Sequence, residues 1–490
     1  YFWDTHIKLK TSLNQNNQLT YSQFSGKDNL GLGIEGLANI NFDWDWGNST
    51  KSLSWRYIPN SNYLITTRLS QTKYNFDVNF EVDFNPNTST TDTSTLTLNS
   101  SSTDLDLFLD NLVEDLDLNQ TIKYILSDNM TIDGGWQIKK LKLKYREIFA
   151  GYEATNLESK PSIISTFINM TFKPTPILYY NTGLRISNYN RYDKMIINPT
   201  FSIKYNPFSD LALKASLGRY SQFLYTVNQE EELLRIVDFW QPVPKGEKPQ
   251  EADHAILGAE YWISNGNTIS LETYLKKYSS IYDLNPAPDY ANIEETFALP
   301  GTAEAYGVEF LYRLSINKLT GWLSYAYSNI RREVDLNSDT ILDRDKEIYP
   351  AKYDKPHSFN ALVSYQLNDN YSIGINTTFG SGQTYTRVIG KVHQAGQSAY
   401  GSLENPYSNF NNIYGERNGA RYPNYFRTDL SLSKKSKVFK LDSEWKFQII
   451  NVTNNYNVLL YLWDHTSSPS QVEAYSMFPL IFTFGLEFKI

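Results

Sequence analysis

The feature that most constrains this chain is a regular alternation of apolar and polar residues. In the segment FKLDSEWKFQI, one apolar face is formed by Phe439, Leu441, Trp445, Phe447 and Ile449, and the residues between them are polar. A period of two is that of a β-strand with one oily face and one wet face. The same pattern recurs in HSFNALVSYQL and YGVEFLYRL, so the chain is predicted to be all-β.

The connections between these strands are short and long in turn. Short stretches rich in Asn, Gly, Asp and Pro, the residues of tight hairpin turns, separate strands at NQNN, PNSN, KPTP, NPFSD, NGN, INK and LNDN. Longer polar stretches are predicted to be loops at residues 27–47, 85–104, 226–252, 283–302, 334–355, 387–424 and 464–477, with shorter ones at 151–157 and 190–195. Such alternation is typical of a transmembrane antiparallel β-barrel with short turns at one end and long loops at the other.

The hydrophobicity of the chain fits this interpretation. No run of about eighteen consecutive apolar residues is present, so no transmembrane helix is predicted. A β-barrel distributes its apolar residues by alternation instead, and it therefore reads as polar overall. The alternative is a large soluble β protein with one wetted sheet face. That alternative gives no reason for so many long strands joined by short and long connections in turn.

The direction of the first and last strands carries further information. About nineteen strands can be counted from the alternating segments. The first leads into a short turn and the last follows a long loop, so both point toward the short-turn end. Strands that run in the same direction cannot meet as antiparallel neighbours. We therefore predict that the barrel lacks an odd number of strands before residue 1, or borrows them.

Several functional classes are excluded by composition. A formal net charge of −8 argues against a nucleic-acid partner, and the absence of Cys excludes disulfide scaffolds and Cys-based chemistry. The five His show no metal-ligand spacing, and the acidic stretch STDLDLFLDNLVEDLDLN lacks the Gly and Glu of an EF-hand. Cation binding there is an alternative to a solvated strand. We predict no metal site, no cofactor and no enzymatic activity.

The C-terminal segment TFGLEFKI resembles the signal that the outer-membrane insertion machinery reads. A polar residue, a Gly and apolar residues two apart are placed as in that signal at Thr483, Gly485, Phe488 and Ile490. An alternating terminal strand is also an edge that another sheet can extend. The simpler alternative is that this segment is the closing strand of the barrel, and both can hold together.

A family resemblance rests on the order of several longer segments. The run ALPGTAEAYGVEFLYRLSINKLTGWLSYAYSNIRR, then YPAKYDKPHSFNALVSYQL, RYPNYFRTDLSLSKK and PLIFTFGLEFKI, resembles the C-terminal half of a TonB-dependent outer-membrane receptor. The resemblance implies a 22-stranded barrel around an N-terminal plug. Residues 1–490 would then hold the last strands of the barrel, and three strands and the plug would lie outside this sequence.

Candidate ligand-binding residues follow from the inward faces and the loops. Arg427 and Asp429 lie on the predicted inward face of YFRTDLSLS, and Glu309 and Arg313 on that of YGVEFLYRL. These charges could instead pair with one another or with the plug. The loop aromatics Trp240 and Trp463 could stack on a ligand or belong to the aromatic girdle at the membrane interface.

The resemblance implies a transporter in the outer membrane of a Gram-negative bacterium. It would import a scarce or bulky ligand, such as a siderophore, vitamin, oligosaccharide or peptide, with the TonB system as energy source. The alternative is a receptor-like barrel that serves as a structural subunit of an outer-membrane complex. Expected partners are outer-membrane lipids, the TonB system, the insertion machinery, and either a surface lipoprotein or other outer-membrane subunits.

Overall fold

A computed structural model describes residues 1–34, 38–84, 105–149, 151–227, 239–285, 293–335, 347–393, 410–438, 441–464 and 471–489. One helical turn, α1 (Ile293–Thr296), accompanies the strands. The strands are β1 (Phe2–Asn14), β2 (Asn17–Ile34), β3 (Ala38–Tyr57), β4 (Tyr63–Phe84), β5 (Leu105–Ser127), β6 (Met130–Phe149), β7 (Tyr152–Ser159), β8 (Ser162–Thr175), β9 (Leu178–Tyr189), β10 (Ile196–Phe208), β11 (Leu211–Gln222), β12 (Leu224–Val227), β13 (Phe239–Pro242), β14 (Gln250–Ser264), β15 (Asn267–Leu284), β16 (Ala298–Ile316), β17 (Leu319–Val334), β18 (Glu347–Pro350), β19 (His357–Gln366), β20 (Tyr371–Gly380), β21 (Thr384–Tyr385), β22 (Val388–His393), β23 (Phe410–Tyr414), β24 (Ala420–Arg421), β25 (Tyr425–Val438), β26 (Leu441–Ile450), β27 (Val458–Asp464), β28 (Gln471–Ser476) and β29 (Ile481–Lys489).

One antiparallel sheet contains most of these strands. It has 21 members, of which β7 and β18 are short additions beside β6 and β17. The other nineteen follow one another from β1 to β29 as the wall of a barrel. The all-β prediction and the predicted strand number are confirmed. Among the described residues, no helix is long and apolar enough to cross a membrane.

The predicted short turns separate strands where expected. Gly266 joins β14 to β15 with a φ of 87°, and Asn317 joins β16 to β17 with a φ of 50°. Both residue types tolerate the left-handed region that tight hairpins require. The residue types in these turns therefore identify the end of the barrel at which the short connections lie.

The prediction of a loop at residues 27–47 is wrong. Strand β2 continues to Ile34, β3 begins at Ala38, and the two are paired from Lys27 opposite Gly47 to Ile34 opposite Ile40. The Asp and Gly residues of FDWDWG suggest a loop, but they alternate with aromatic residues and fit a strand with two different faces. The prediction of a loop at 151–157 is also wrong for most of its length, because strand β7 begins at Tyr152. The predicted loop 85–104 lies outside the described residues.

The sheet has two unpaired edges among the described residues. Strand β1 pairs only with β2, and β29 pairs only with β26. Because every step between the nineteen strands is antiparallel, β1 and β29 run in the same direction. Closing this wall by antiparallel pairing requires an odd number of further strands between them.

The two faces of the wall can be told apart by following the cross-strand pairs. The hairpin β12–β13 packs its Phe239 ring 5.1 Å from the ring of Tyr145 in β6, and Tyr225 lies 5.3 Å from Tyr282 in β15. Because β6 and β15 are far apart in the ladder, the sheet must curve around this hairpin. The face that carries Tyr145 is therefore the inner face of the barrel.

Along β4 the apolar residues change from one face to the other. In its first part, Tyr63 and Leu69 point outward and are 37% and 46% exposed. In its second part, Phe76 and Val78 point inward and are completely buried. No register shift interrupts the pairing of β4, so the change of face comes from the sequence and not from a bulge.

The neighbouring strands change face at the same height. In β3, Leu53 and Trp55 are exposed outward near the short turn, whereas Phe42 is buried inside near the other end. In β6, Ile138 is exposed on the outer face, whereas Leu143 is buried on the inner face. Strand β4 has 22 residues, whereas about 9–11 tilted residues span a hydrocarbon core. The strands β3–β6 therefore extend well beyond an apolar band that has the height of a membrane.

The inner face above this band holds the main apolar cluster. Phe239 packs between Phe76 and Tyr145, at ring-centroid distances of 5.5 and 5.1 Å. Asn111, fully buried on β5, accepts a hydrogen bond from the backbone amide of Trp240 at 3.0 Å and donates one to its carbonyl at 3.3 Å. The described part of the hairpin β12–β13 is thereby fixed across one side of the barrel mouth.

We expect the two edge strands not to be neighbours in the membrane-inserted protein. The chain has no native Cys, so engineered pairs report without background. Lys8→Cys or Lys10→Cys, combined with Thr483→Cys, should form no disulfide under mild oxidation. Gln448→Cys with Thr483→Cys should cross-link readily, because these residues are direct partners. A cross-link from β1 to β29 as efficient as this control would contradict the open edge.

The change of face predicts different costs for two similar truncations in β4. Phe76→Ala should lower the free energy of unfolding by about 3–5 kcal/mol, because it opens a cavity in a packed cluster. Leu69→Ala should have a much smaller effect, because lipid or detergent refills the space. Urea unfolding in lipid vesicles, followed by tryptophan fluorescence, measures both. Equal losses in the two variants would show that β4 has one environment along its length.

Candidate functional site

The inner face of the barrel wall holds a polar cavity in its lower part, toward the short-turn end. Register pairs place Glu309 on β16 directly opposite Glu272 on β15, on the same inner face as Asn111. The cavity has a volume of about 510 Å3, and its charged and amide-bearing lining residues are Lys214, Glu260, Glu272, Glu309, Arg313 and Asn360. Two of the residues selected from the sequence, Glu309 and Arg313, are thus brought together here.

The charges in this cavity are only partly compensated. Lys214 and Glu260 form an ion pair at 2.7 Å. Among the described residues, Glu309 and Arg313 have no ion-pair partner, and two carboxylates face each other at Glu272 and Glu309. Like charges placed opposite each other in a sheet are destabilising. The cavity can therefore accept a polar or cationic group that binds these carboxylates.

Arg427 and Asp429 also lie on the inner face, but they bind each other. The guanidinium donates two hydrogen bonds to the carboxylate, each 2.7 Å long. Asp429 also accepts a hydrogen bond at 2.9 Å from the backbone amide of Asn451, a buried residue with a φ of 54°. The pair thus fixes the connection between β26 and β27, and its proposed contact with a ligand stays a prediction.

The two selected tryptophans have different surroundings. Trp240 is partly buried in the apolar cluster at the mouth, and its backbone is held by Asn111. Trp463 lies in β27, opposite Val472 of β28. Whether either contacts a ligand remains a prediction.

The C-terminal strand pairs with β26 along its whole length. Thr483 and Gly485 lie opposite Gln448 and Lys446 on the inner face, and Phe488 points outward. Ile490 lies outside the described residues. The alternation expected of an insertion signal is therefore present in β29, and its recognition by the insertion machinery remains a prediction.

One site that the sequence did not single out holds the connection between β20 and β25. Asp354 is completely buried, accepts a hydrogen bond from the backbone amide of Ile330 at 2.9 Å, and forms an ion pair with Arg421. Arg421 also donates to the backbone carbonyl of Asp354 at 2.7 Å. Because Arg421 lies 67 residues further along the chain, no local pattern could have revealed this contact.

A second buried carboxylate lies close by in the mouth. Asp283, at the outer end of β15, binds Arg417 at 2.9 Å and Arg332 at 3.4 Å, and it accepts a hydrogen bond from Tyr349. Burial alone would raise the pKa of Asp283, but the two guanidinium groups outweigh it and hold the pKa below its usual value. Arg417 and Arg421 together form an arginine clasp that ties the segment 415–421 to the barrel wall.

The carboxylates of the acidic stretch do not gather in one place. Asp110 points outward on β5, opposite Asp77, whereas Asp115 and Asp117 point inward. The two inward carboxylates lie 2.6 and 3.7 Å from the ammonium group of Lys139. Among the described residues, no group of three or more His, Asp or Glu side chains is arranged to hold a metal ion.

The fold and the sequence can be compared with known proteins. The model of the family described as "TonB dependent receptor-like, beta-barrel" matches residues 2–454. No curated protein sequence is significantly similar to the chain.

Solved structures share the architecture at low sequence identity. The ferric yersiniabactin uptake receptor FyuA from Yersinia pestis has a TM-score of 0.64 at 10% identity, over 99% of this chain and 70% of that one. The ferric-catecholate import receptor Fiu from K12 E. coli has a TM-score of 0.54 at 11% identity, over 94% and 76%. The RagAB peptide importer has a TM-score of 0.55 at 8% identity, over 92% and 68%.

Identities this low establish a shared fold and nothing about ligands. The family match, in contrast, covers most of the chain and agrees with the nineteen-strand wall. The chain therefore belongs to the family of TonB-dependent receptor-like β-barrels.

Proposed function

We propose that this chain forms the barrel of an outer-membrane transporter that imports a ligand too bulky or too dilute for a simple pore. The observation that carries the proposal is a family barrel whose inner face is polar and holds incompletely paired charges at Glu309 and Arg313. The similar structures include receptors for ferric chelates and a peptide importer. Siderophores, vitamins, oligosaccharides and peptides are therefore the ligand classes to test.

The proposed protein contains more than the wall described above. The same direction of β1 and β29 supports an odd number of further strands between them. A wall of this width also leaves a wide lumen. We propose that a plug fills its lower part, where Glu309, Glu272 and Arg313 face the interior, and that the TonB system acts through this plug.

The surroundings of the barrel follow from the same proposal. The outward apolar residues, such as Leu69 and Phe484, would contact the lipids of the outer membrane of a Gram-negative bacterium. The insertion machinery would recognise β29 during assembly. In this proposal the protein performs no catalytic reaction and needs no cofactor.

A second proposal is favoured by the unpaired edges. Strands β1 and β29 present backbone groups that a neighbouring sheet can pair with, which would suit a structural subunit of an outer-membrane complex. A surface lipoprotein or another outer-membrane subunit would then be the partner. Energy-dependent uptake separates this proposal from the first, because a purely structural subunit moves no solute.

If the protein is an importer, substitutions of charged residues that face the lumen should lower ligand uptake without lowering the abundance of the protein in the membrane. Arg313→Ala should reduce uptake several-fold, because Arg313 faces the cavity without an ion-pair partner among the described residues. Arg427→Ala should also reduce uptake, with an additional effect on the β26–β27 connection because it breaks the pair with Asp429. Cells would be supplied with labelled ferric chelates, cobalamin, maltooligosaccharides and short peptides in turn.

The controls for this measurement distinguish transport from folding. Lys437→Gln alters an exposed charge near the short-turn end of β25 and should leave uptake unchanged. Uptake by the wild type should also vanish in cells that lack TonB. Wild-type uptake in Arg313→Ala and Arg427→Ala at equal abundance would remove both residues from the ligand path. The absence of uptake for every ligand class would favour the structural subunit.

A further inference from the structure

Lysines lie on the outer face of β3–β6, directly above the outward apolar band. Outward side chains are two residues apart along a strand, so each strand can be followed from its last exposed apolar residue toward the long-connection end. In β6, Ile138 is followed at the next two outward positions by Lys140 and Lys142. The whole set, which we name the basic band, consists of Lys51, Lys73, Lys140, Lys142, Lys144 and Lys160.

The basic band is continuous from strand to strand. In β4, Lys73 is the second outward residue above Leu69, which is 46% exposed. Strand β5 contributes Glu114, which lies directly opposite Lys73 on one side and Lys142 on the other. The ammonium groups of three strands therefore surround a single carboxylate of the fourth.

Most of the positive charge in this band is not compensated. Glu158 binds Lys144 at 3.1 Å and Lys160 at 2.8 Å. The lysines without an ion-pair partner among the described residues are Lys51, Lys73, Lys140 and Lys142. Six ammonium groups thus accompany two carboxylates, in a chain with a formal net charge of −8.

The next carboxylates on the outer face do not offset this excess. Asp77 and Asp110 lie opposite each other, four residues further along β4 and β5 than Lys73 and Glu114. That separation is about 13 Å, at about 3.3 Å per residue. Exposed charges more than about 8 Å apart are largely screened at physiological ionic strength.

Strands β11–β16 carry charges in the same place, but there the charges are balanced. Above the exposed Leu217, Arg219 donates two hydrogen bonds to Asp253 of the neighbouring strand, at 2.8 and 2.9 Å. Lys277 lies opposite Glu304, at a distance of 3.9 Å. We name these residues the balanced row. The excess of positive charge is therefore a property of β3–β6.

The height of the basic band is that of lipid head groups. A bilayer with a hydrocarbon core of about 30 Å is about 40–45 Å thick with its head groups, so each polar layer is about 5–7 Å deep. Lys140 lies two residues, about 7 Å along a tilted strand, beyond Ile138. A lysine beside an apolar surface keeps its ammonium group in the polar layer.

We propose that the basic band binds the head groups of negatively charged, phosphate-bearing lipids in the outer leaflet. The unpaired lysines would contact the phosphates, and the apolar residues below them would contact the acyl chains. The proposal rests on the proposed function, because it requires the wall to stand in an outer membrane. Lipid binding itself needs neither a ligand nor TonB, so it can be measured without transport.

The test compares an anionic and a zwitterionic lipid at two places on the wall. Because the chain has no native Cys, a bimane label can be attached at Ile138→Cys, below the basic band, or at Leu217→Cys, below the balanced row. The protein is purified from outer membranes into nanodiscs with equal amounts of phosphatidylglycerol and phosphatidylcholine. One of the two lipids carries bromine in its acyl chains, which quenches the nearby label.

The label at Ile138 should report about a tenfold preference for phosphatidylglycerol, since one lysine near a charged lipid surface is worth about fivefold. The label at Leu217 should report a ratio close to one. Sodium chloride should weaken the preference at Ile138, because exposed ammonium groups are screened.

Variants assign the preference to the lysines. Lys140→Gln/Lys142→Gln should lower the ratio at Ile138 at least about fivefold. If that variant does not fold, Lys51→Gln/Lys73→Gln, at two exposed positions, should lower the ratio reported by a label at Leu69→Cys. Lys277→Gln is the matched control, because it removes an outward lysine of the balanced row and should leave the ratio at Ile138 unchanged.

Three results would overturn the proposal. Both lipids would quench the label at Ile138 equally, or the lysine variants would keep the wild-type ratio. In the third, inorganic phosphate would abolish the preference where sodium chloride of equal ionic strength does not, and the band would be a site for soluble phosphate. No quenching by either lipid at either label would overturn the membrane barrel as well. Failure of uptake with the lipid preference intact would count against import alone.

Discussion

The whole structure depends on the need to pair every backbone N–H and C=O group where no water is present. In a hydrocarbon layer an unpaired backbone group costs several kcal/mol, and a continuous antiparallel ladder is one of two ways to avoid that cost. The ladder satisfies this requirement for the strands between its two edges, β1 and β29. Side chains are then free to vary, provided that one face suits lipid and the other suits the lumen.

The ladder does not end where the apolar band ends, and this explains the two-part sequences of β3–β6. In the band, Leu53, Leu69 and Ile138 point outward. Above it the outside is water and the inside is packed protein, so Phe76 and Leu143 point inward. The period of two is unchanged, and only its phase differs. A shift of phase in an uninterrupted strand therefore marks the height at which the outward apolar band ends.

This phase shift separates what the sequence predicts from what it does not. Turns such as those at Gly266 and Asn317 depend on local backbone chemistry, so they are predicted correctly. The loop prediction at 27–47 fails because the polar residues there alternate with aromatic ones, and they form the wet outer face of a strand whose aromatic residues point inward. Long-range contacts lie beyond local patterns. Asp354 and Arg421 are 67 residues apart and show their relationship only in the folded chain.

Charge pairing divides the interior into two regions with different roles. At the mouth, buried carboxylates are matched by guanidinium groups, with Asp283 bound by Arg417 and Arg332. Such groups can be buried because the same chain supplies their partners, Arg332 from strand β17 of the wall and Arg417 from the segment 415–421. Toward the short-turn end, Glu309 and Arg313 have no ion-pair partner among the described residues, and two carboxylates face each other there. Charges of that kind persist only beside water or a polar occupant. The mouth is therefore a region whose buried charges the chain compensates by itself, whereas the charges in the lumen below it are left to water or to a polar occupant.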